Sequence, residues 1–310
     1  MTIINKIIDG KIYAEKLLKE ISPLSKEFLK NFNREPSLTV IQVGDNPASK
    51  IYVKNKILTA KKNGIKSKEI LLASDVSEDE LIQHISILNK DENVDGILVQ
   101  LPLPKHISEK KIINIIDPSK DVDGFHPTNF GNLFMGDSKF IPCTPLGCLY
   151  MLKHEIKDIK GKNAVIVGRS NIVGKPMASL LLSSDCSVTI THSRTKNIQE
   201  HTRKADILIV AVGIPEMIDE KFIKPGAIVI DIGINRLETK TTDNASNKKV
   251  IVGDVKFEKV LKVAKKITPV PGGVGPMTIA CLMHNTVKAA YINKKNDFIN
   301  VLEGILWWTG

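Results

Sequence analysis

The chain has 310 residues, a formal net charge of +10 and a hydrophobic fraction of 42%. This length is sufficient for two domains that each bury a core, and the composition is typical of a soluble globular protein. No apolar run approaches the roughly 20 residues of a membrane span, and polar residues interrupt the apolar positions of the N-terminus. We therefore expect no signal peptide, no membrane partner and a cytoplasmic location.

The charge pattern and the cysteines argue against two further classes of partner. The lysines are scattered through amphipathic segments and aromatic residues are only 5% of the chain, which indicates a basic surface that attracts small anions and not nucleic acid. Neither the cysteines nor the histidines have metal-ligand spacing, so we expect no metal and reduced, packed thiols. The cysteines are Cys143, Cys148, Cys186 and Cys281.

The first part of the chain alternates strand and helix patterns. The predicted elements are the strand Leu38–Val43, the helix Ala48–Asn63, the strand Lys68–Leu72, the helix Ser77–Asn89 and the strand Val94–Leu101. Ser77 begins its helix with the sequence Ser-Glu-Asp-Glu, which fits a capping box. A connection rich in glycine and proline, Asp117–Thr144, then leads to a predicted helix at Leu146–His154.

The second part repeats the alternation. Its predicted elements are Ala164–Val167, Lys175–Ser183, Ser187–Thr191, Asn197–Lys204, Asp206–Val212 and Ala227–Ile232. Continuous runs such as ILIVAV and AIVIDI are typical of strands that are buried on both faces, as in parallel sheets. We therefore predict two doubly wound α/β domains, the second of them Rossmann-like.

The remaining segments complete the predicted organisation. The polar stretch Glu238–Lys249 is predicted to be a surface loop, and TPVPGGVGPMT, after Ile267, is too rich in proline and glycine for a regular element. A helix at Ile279–Tyr291 follows, and we expect it to pack back on the first domain. The predicted domains are residues 1–143, completed by about 277–296, and residues 144–276, with a frayed tail at 297–310 that includes Trp307 and Trp308.

The glycine-bearing turn Gly168–Pro176 lies between a predicted strand and a predicted helix. Such a turn allows backbone N–H groups at a helix N-terminus to bind a pyrophosphate. The fit to G-x-G-x-x-G is imperfect, because Ser170 replaces the second glycine and Gly174 comes one position late. An ordinary tight turn of an α/β protein is the alternative interpretation.

The end of the following strand indicates which dinucleotide this turn would bind. An NAD site usually has a carboxylate there for the ribose 2′-hydroxyl. In this chain the strand continues into His192-Ser193-Arg194, and Arg169 adds a cation within the glycine turn. Because a hydroxyl and a guanidinium can bind a 2′-phosphate, we predict NADP as the cofactor.

One face of the helix predicted at Ala48–Asn63 combines three chemical groups. Ser49, Tyr52 and Lys56 have spacings that place them on the same side, whereas Lys54 points away. An amine beside an aromatic ring could transfer a proton next to a stacked substrate ring. The alternative is a solvated surface lysine and a core tyrosine, and the spacing alone does not decide between the two.

Six strings, in chain order, resemble the bifunctional methylenetetrahydrofolate dehydrogenase/cyclohydrolase family. They are VGDNPASKIYVKNK, DGILVQLPLPKHI, KDVDGFHPTNFG, PCTPLG, GRSNIVGKPMASLL and TPVPGGVGPMT, and the resemblance covers about residues 3–290. It implies NADP-dependent oxidation of 5,10-methylenetetrahydrofolate to the methenyl cation, followed by hydrolysis to 10-formyltetrahydrofolate. A homodimer, and folate substrates that carry polyglutamate tails, are further implications.

The resemblance also implies roles for individual residues. It makes Lys56 the essential lysine, Tyr52 the ring that stacks on the aminobenzoate, Gln100 the support of the lysine and Asp123 the residue that holds the pterin. Further substrate-binding residues are Ser49, Pro271, Gly272 and Gly273. The implied cofactor-binding residues are Gly168, Arg169, Ser170, Ser193, Ile234 and Thr144.

The chemistry suits these residue types. Hydride transfer mainly requires that two rings be held in a near-attack geometry. Hydrolysis requires a base, and a partly buried lysine beside a cationic carbon is driven toward its neutral form. Two alternatives remain at this stage: another oxidoreductase with the same two-domain layout, such as a shikimate-dehydrogenase-like enzyme, and a binding protein without catalytic activity.

Overall fold

The computed structural model describes residues 3–240, 247–295, 302, 304 and 305. It divides into two compact units. The first unit consists of residues 14–143 and 279–310, and the second consists of residues 1–13 and 144–278.

The first unit is built on a three-stranded parallel sheet. Its strands are β1 (Ser37–Val43), β2 (Lys66–Leu72) and β3 (Gly96–Val99), in the order β2-β1-β3. The central strand β1 is buried along its whole length although three of its seven residues are polar, whereas no residue of the edge strand β2 is buried. The helices of this part of the chain are α1 (Gly10–Phe32), α2 (Pro47–Lys62), α3 (Glu78–Lys90), α4 (Glu109–Ile115) and α5 (Pro127–Met135).

The predicted capping residue of α3 is present. The Ser77 hydroxyl oxygen accepts a hydrogen bond of 3.2 Å from the Glu80 backbone N–H, which satisfies one of the unpaired donors of the first turn. The buried face of α3 consists of Leu81, Ile85 and Leu88. This face joins the apolar cluster formed by β1 and β3, so the helix is anchored on the sheet whose strand ends carry the predicted folate residues.

The second unit contains a five-stranded parallel sheet. Its strands are β4 (Asn163–Val167), β5 (Ser187–Thr191), β6 (Ile207–Val210), β7 (Ile228–Asp231) and β10 (Lys266–Ile267), in the order β10-β7-β6-β4-β5. The strands β8 (Asn235–Lys240) and β9 (Asn247–Val252) form a separate antiparallel pair. The helices are α6 (Cys143–Glu155), α7 (Gly174–Leu182), α8 (Ile198–Thr202), α9 (Phe257–Val263) and α10 (Val274–Asn293), which continues into the first unit.

The strand order of this sheet locates its binding edge. Counted within the unit, the order is 2-1-3-4-5, so the connections leave β4 in opposite directions. In such sheets ligands bind beyond the carboxyl ends of the strands at the point where the order reverses. That point lies between β4 and β6, and Gly168 immediately follows β4.

Two predictions of local structure require correction, and one unit boundary differs from the predicted domain boundary. Residues 3–13 group with the second unit, and the Ile8 N–H bonds the Ile267 carbonyl oxygen at 2.9 Å. TPVPGGVGPMT is regular in its second half, since α10 begins at Val274 and a proline in a first helical turn removes no intrahelical hydrogen bond. The stretch Glu238–Lys249 includes the ends of β8 and β9, and residues 241–246 lie outside the described part.

The C-terminal helix and tail are placed as follows. In α10, the Asn285 side chain bonds the Val122 and Ile141 carbonyl oxygens, so this helix packs on the first unit as predicted. Most of the predicted tail, including Trp307 and Trp308, lies outside the described residues; Leu302 is buried, with its carbonyl oxygen 3.0 Å from His284 Nε2. Among the described residues, no helix has the length and apolar character of a membrane span.

Candidate functional site

Lys56 and Gln100 form a hydrogen-bonded pair in the first unit. Lys56 lies on α2 and is only 7% exposed, and its Nζ donates to Gln100 Oε1 at 3.0 Å. Gln100 directly follows β3, and its Nε2 donates to the Leu101 carbonyl oxygen at 2.8 Å, which fixes the orientation of the amide. The oxygen of Gln100 therefore faces the amine without adding a charge.

Burial distinguishes the lysines of α2. Lys54 is exposed, whereas Lys56, two residues later, is buried. Ser49 is also buried and Tyr52 is half-buried. The helix face predicted from the sequence is therefore turned toward the protein interior and away from solvent. The interpretation of Lys56 as a solvated surface group is wrong.

Asp123 lies in the electrostatic neighbourhood of Lys56. It is partly buried in the segment that follows the bridge between Ile97 and Asp121. Burial raises the pKa of Asp123, and the positive charge of Lys56 opposes this increase. The Cys143 thiol, whose pKa is raised by burial, lies within hydrogen-bonding reach of the Asp123 carboxylate and 3.3 Å from the Val122 carbonyl oxygen.

The neighbouring Asp121 has a different task. Its carboxylate accepts hydrogen bonds from the N–H groups of Phe125 and His126, at 3.2 and 2.8 Å, and from Asn129 Nδ2 at 2.9 Å. It therefore stabilises the turn that carries Asp123. Asp123 accepts no backbone N–H bond among the described residues, so its carboxylate is available for a ligand.

In the second unit, the glycine turn after β4 is shaped by close backbone contacts. Gly168 has φ +125°, and a Cβ at this position would lie 2.2 Å from the Ala211 carbonyl oxygen. A Cβ on Gly174 would lie 2.3 Å from the Gly168 carbonyl oxygen. Both positions therefore require glycine, which allows α7 to begin directly against the end of β4.

Ser170, which replaces the second glycine of the motif, closes this turn. Its hydroxyl oxygen accepts from the N–H groups of Val173 and Gly174, at 3.2 and 3.4 Å. The N-cap position, Val173, supplies no side-chain hydrogen bond. Ser170 thus satisfies two donors of the helix N-terminus that a glycine could not.

The residues predicted to bind a 2′-phosphate lie at adjacent strand ends. Val167 of β4 pairs with Thr191 of β5, and the Gly168 N–H bonds the Thr191 carbonyl oxygen at 2.9 Å. Arg169 and Ser193 follow these strands and are exposed, and neither side chain makes a hydrogen bond or ion pair within the described part of the chain. A guanidinium and a hydroxyl are therefore both available at this edge.

Two buried carboxylates, which the sequence analysis did not identify, hold the loops after β6 and β7. Asp231 accepts from the N–H groups of Gly233, Asp254 and Val255, and burial raises the pKa of Asp231 to about 7. Asp254 accepts from the N–H groups of Val212 and Gly213, at 2.7 and 2.9 Å. The predicted cofactor residue Ile234 follows Gly233 and is exposed. The two carboxylates therefore set the backbone from which Ile234 projects.

The remaining predicted site residues also belong to the second unit. The Thr144 hydroxyl lies 3.0 Å from that of Thr278, which in turn donates to the Val274 carbonyl oxygen. Pro271 is exposed, Gly272 has φ +103°, and Gly273 is buried against Gly10. The predicted substrate residues are therefore divided, with Pro271, Gly272 and Gly273 in the second unit and the others in the first.

Two family models match the chain. Residues 8–123 match the tetrahydrofolate dehydrogenase/cyclohydrolase catalytic domain, and residues 142–294 match the NAD(P)-binding domain of the same family. A bifunctional FolD protein of Acetivibrio thermocellus is 55% identical over 290 residues, which are 94% of this chain and 98% of the relative. A FolD protein of Ehrlichia canis is 53% identical over 286 residues, covering 92% and 93%.

Solved structures agree with this result. The bifunctional FolD enzyme of Campylobacter jejuni superposes with a TM-score of 0.86 at 49% identity and covers 92% of this chain and 98% of its own. The Trypanosoma brucei dehydrogenase-cyclohydrolase, solved with NADP and an inhibitor, gives a TM-score of 0.88 at 34% identity, with coverages of 93% and 98%. The resemblance found in the sequence is confirmed: this chain belongs to the tetrahydrofolate dehydrogenase/cyclohydrolase family.

Proposed function

We propose that this chain oxidises 5,10-methylenetetrahydrofolate with NADP and hydrolyses the resulting 5,10-methenyl cation to 10-formyltetrahydrofolate. The observation that carries this proposal is the buried Lys56–Gln100 pair beside Asp123, in a member of the dehydrogenase/cyclohydrolase family. Family membership supplies both reactions. The geometry supports the roles that we propose for individual residues.

The hydrolytic step assigns the proton transfer to Lys56. Water adds to the cationic methenyl carbon and loses one proton, which gives a neutral carbinolamine. Lys56, acting as the general base, accepts this proton. One C–N bond then breaks as the new hydroxyl loses its proton to form the formyl C=O and the released nitrogen gains a proton. Gln100 positions the amine through the 3.0 Å bond to its amide oxygen and contributes no competing charge.

The folate is oriented by groups around this pair. The Asp123 carboxylate accepts hydrogen bonds from pterin N–H groups, an arrangement stronger than one between neutral partners. The ring of Tyr52, on the same face of α2 as Lys56, stacks on the aminobenzoate. Ser49 completes this face. The family resemblance implies residues 271–273, which belong to the second unit, as further substrate-binding residues.

The cofactor is bound by the second unit. NADP, when bound, accepts the hydride from the methylene carbon, so the protein requires no strong base for this step. Gly168 and Ser170 shape the turn for the pyrophosphate, with Thr144 and Ile234 as further contacts. Arg169 and Ser193 bind the 2′-phosphate, and the absence of a carboxylate from His192-Ser193-Arg194-Thr195 avoids repulsion.

The proposal has several finer parts, which rest on the family assignment and on the net charge. The chain acts as a cytoplasmic homodimer, and its one-carbon products serve purine and amino-acid biosynthesis. The net charge of +10 favours the additional carboxylates of polyglutamylated folates. Size-exclusion chromatography with light scattering tests the dimer, and KM values for mono- and pentaglutamate substrates test the preference for the tail.

A spectrophotometric assay with purified protein tests the proposed reactions. We expect methylenetetrahydrofolate and NADP to give NADPH and 10-formyltetrahydrofolate, with NAD a poorer cofactor. Folate binding without NADPH formation would support the alternative of a binding protein without catalytic activity. NADPH formation with accumulation of the methenyl intermediate would remove the cyclohydrolase activity from the proposal.

A further inference from the structure

Asn285 is a buried polar residue on the apolar helix α10, and none of the roles above includes it. It is only 1% exposed. Its Nδ2 donates to the Val122 carbonyl oxygen at 2.9 Å and to the Ile141 carbonyl oxygen at 3.0 Å. A primary amide has two N–H groups, so both donors are used on two backbone carbonyls.

These carbonyls belong to two segments that carry the surroundings of Asp123. Val122 precedes Asp123 directly, and Ile141 lies two residues before Cys143. The segments pack so closely that a Cβ on Gly124 would lie 2.7 Å from the Pro142 backbone nitrogen. Asn285 therefore joins the Asp123 backbone to the segment that presents the Cys143 thiol.

The thiol adds to the same connection. Cys143 Sγ lies 3.6 Å from Asn285 Nδ2 and 3.3 Å from the Val122 carbonyl oxygen, and it is within hydrogen-bonding reach of the Asp123 carboxylate. The amide of Asn285 thus fixes the Val122 carbonyl group, which precedes Asp123 in the chain, and the Cys143 thiol. With both groups fixed, the Asp123 carboxylate can occupy few positions.

We propose that Asn285 is a positioning residue for folate binding, which holds Asp123 in the place where it meets the pterin. This inference rests on the proposed function and deepens it. Asn285 touches no substrate; it acts through Val122, Ile141 and Cys143. Its loss therefore weakens folate binding and leaves the cofactor turn of the second unit unchanged.

The test compares Asn285→Leu with Asn285→Ser and a control on the same helix. Leucine has a similar size but leaves both carbonyl groups without a donor, whereas serine retains one donor. Thr286→Val is the control, because the Thr286 hydroxyl is buried and bonds only the Leu282 carbonyl oxygen of its own helix. Measured are KM for methylenetetrahydrofolate, kcat of both reactions, the NADP dissociation constant and Tm.

We expect Asn285→Leu to raise the folate KM about tenfold or more, as for one lost buried hydrogen bond. Asn285→Ser has an intermediate KM, Thr286→Val has the wild-type KM, and NADP affinity stays within about twofold in all three. Should Asn285→Leu not fold, the KM of Asn285→Ser decides the question. A lower Tm with an unchanged folate KM would overturn the inference and make Asn285 a purely structural residue.

The failure of this inference is distinguishable from failure of the proposed function. The wild-type protein is assayed first, and a wild type that forms no NADPH contradicts the proposed function. An active wild type whose Asn285 variants retain the folate KM contradicts only the positioning role. An equal loss of folate and NADP affinity in Asn285→Leu would also contradict it, because the effect would then not be specific to Asp123.

Discussion

The proposed folate residues of the first unit and the proposed cofactor turn of the second are organised differently. In the first unit Lys56 is buried and bonded to Gln100, and Tyr52 and Asp123 are half-buried. In the second unit the backbone is constrained at Gly168 and Gly174, while the side chains of Arg169 and Ser193 are exposed. A group that moves a proton must be in place before the substrate arrives, whereas groups that bind a phosphate can be ordered by the phosphate itself.

Among the substitutions that test this comparison, replacement of Lys56 is expected to have the largest effect on activity. Lys56→Met retains most of the stem but removes the amine, so methenyl hydrolysis should decrease by about two to four orders of magnitude, the usual share of a general base. Dehydrogenation should decrease less. Lys54→Met is the matched control, since Lys54 is exposed on the same helix. Near-normal hydrolysis by Lys56→Met would show that the buried amine is not the base.

Asp123→Ala tests the contribution of the first unit to folate affinity. The loss of a charge-assisted acceptor should cost about 1–3 kcal/mol of folate binding and reduce both activities together. NADP affinity, measured by calorimetry, should not change. Asp137→Ala, in the same unit and exposed, serves as the control. A parallel loss of NADP affinity would mean that Asp123 stabilises the fold and not the pterin.

Arg169→Ala tests the role of the exposed side chains in the second unit. It should weaken NADP binding by about 1–3 kcal/mol and leave NAD binding nearly unchanged, because only NADP carries the 2′-phosphate. The two cofactors serve as mutual controls in one titration series. Equal losses for both would remove Arg169 from the phosphate site.

Asp231 allows a smaller test of the buried carboxylates in the second unit. Because burial raises its pKa from 3.8 to about 7, the folded state binds the proton more tightly than the unfolded state does. The free energy of unfolding should therefore decrease, by about 3 kcal/mol for a pKa shift of this size, as the pH rises from about 4 to about 7. Denaturant titrations across this range measure it, with Asp231→Asn as the comparison. If the free energy of unfolding changed with pH equally in the wild type and in Asp231→Asn, the pH dependence would belong to other groups.

The parts of the fold that local sequence determines were predictable. The apolar runs of β6 and β7 indicate buried strands, and Ser77 marks the start of α3 through its own side chain. The parallel sheets follow from the alternation of strands and helices. These features depend on residues that are close together in the chain, so the local sequence pattern predicts them.

Features that depend on distant partners were not predictable from spacing. Lys56 is bonded to Gln100, which lies 44 positions away, and only the family resemblance selected it. The N-terminal segment contacts the second unit at Ile267, and β8 and β9 pair with each other as antiparallel strands. The sequence contains one signal for Asn285, because a polar side chain within an apolar helix requires a hydrogen-bond partner.

The central claim is that Gln100 acts on hydrolysis through Lys56. A double-mutant cycle of Lys56→Met and Gln100→Leu, measured as the rate of methenyl hydrolysis, tests it most directly. If Gln100 only positions the amine, the double variant should hydrolyse no more slowly than Lys56→Met alone. Losses that multiply in the double variant would contradict this account, because Gln100 would then act on the substrate independently of Lys56.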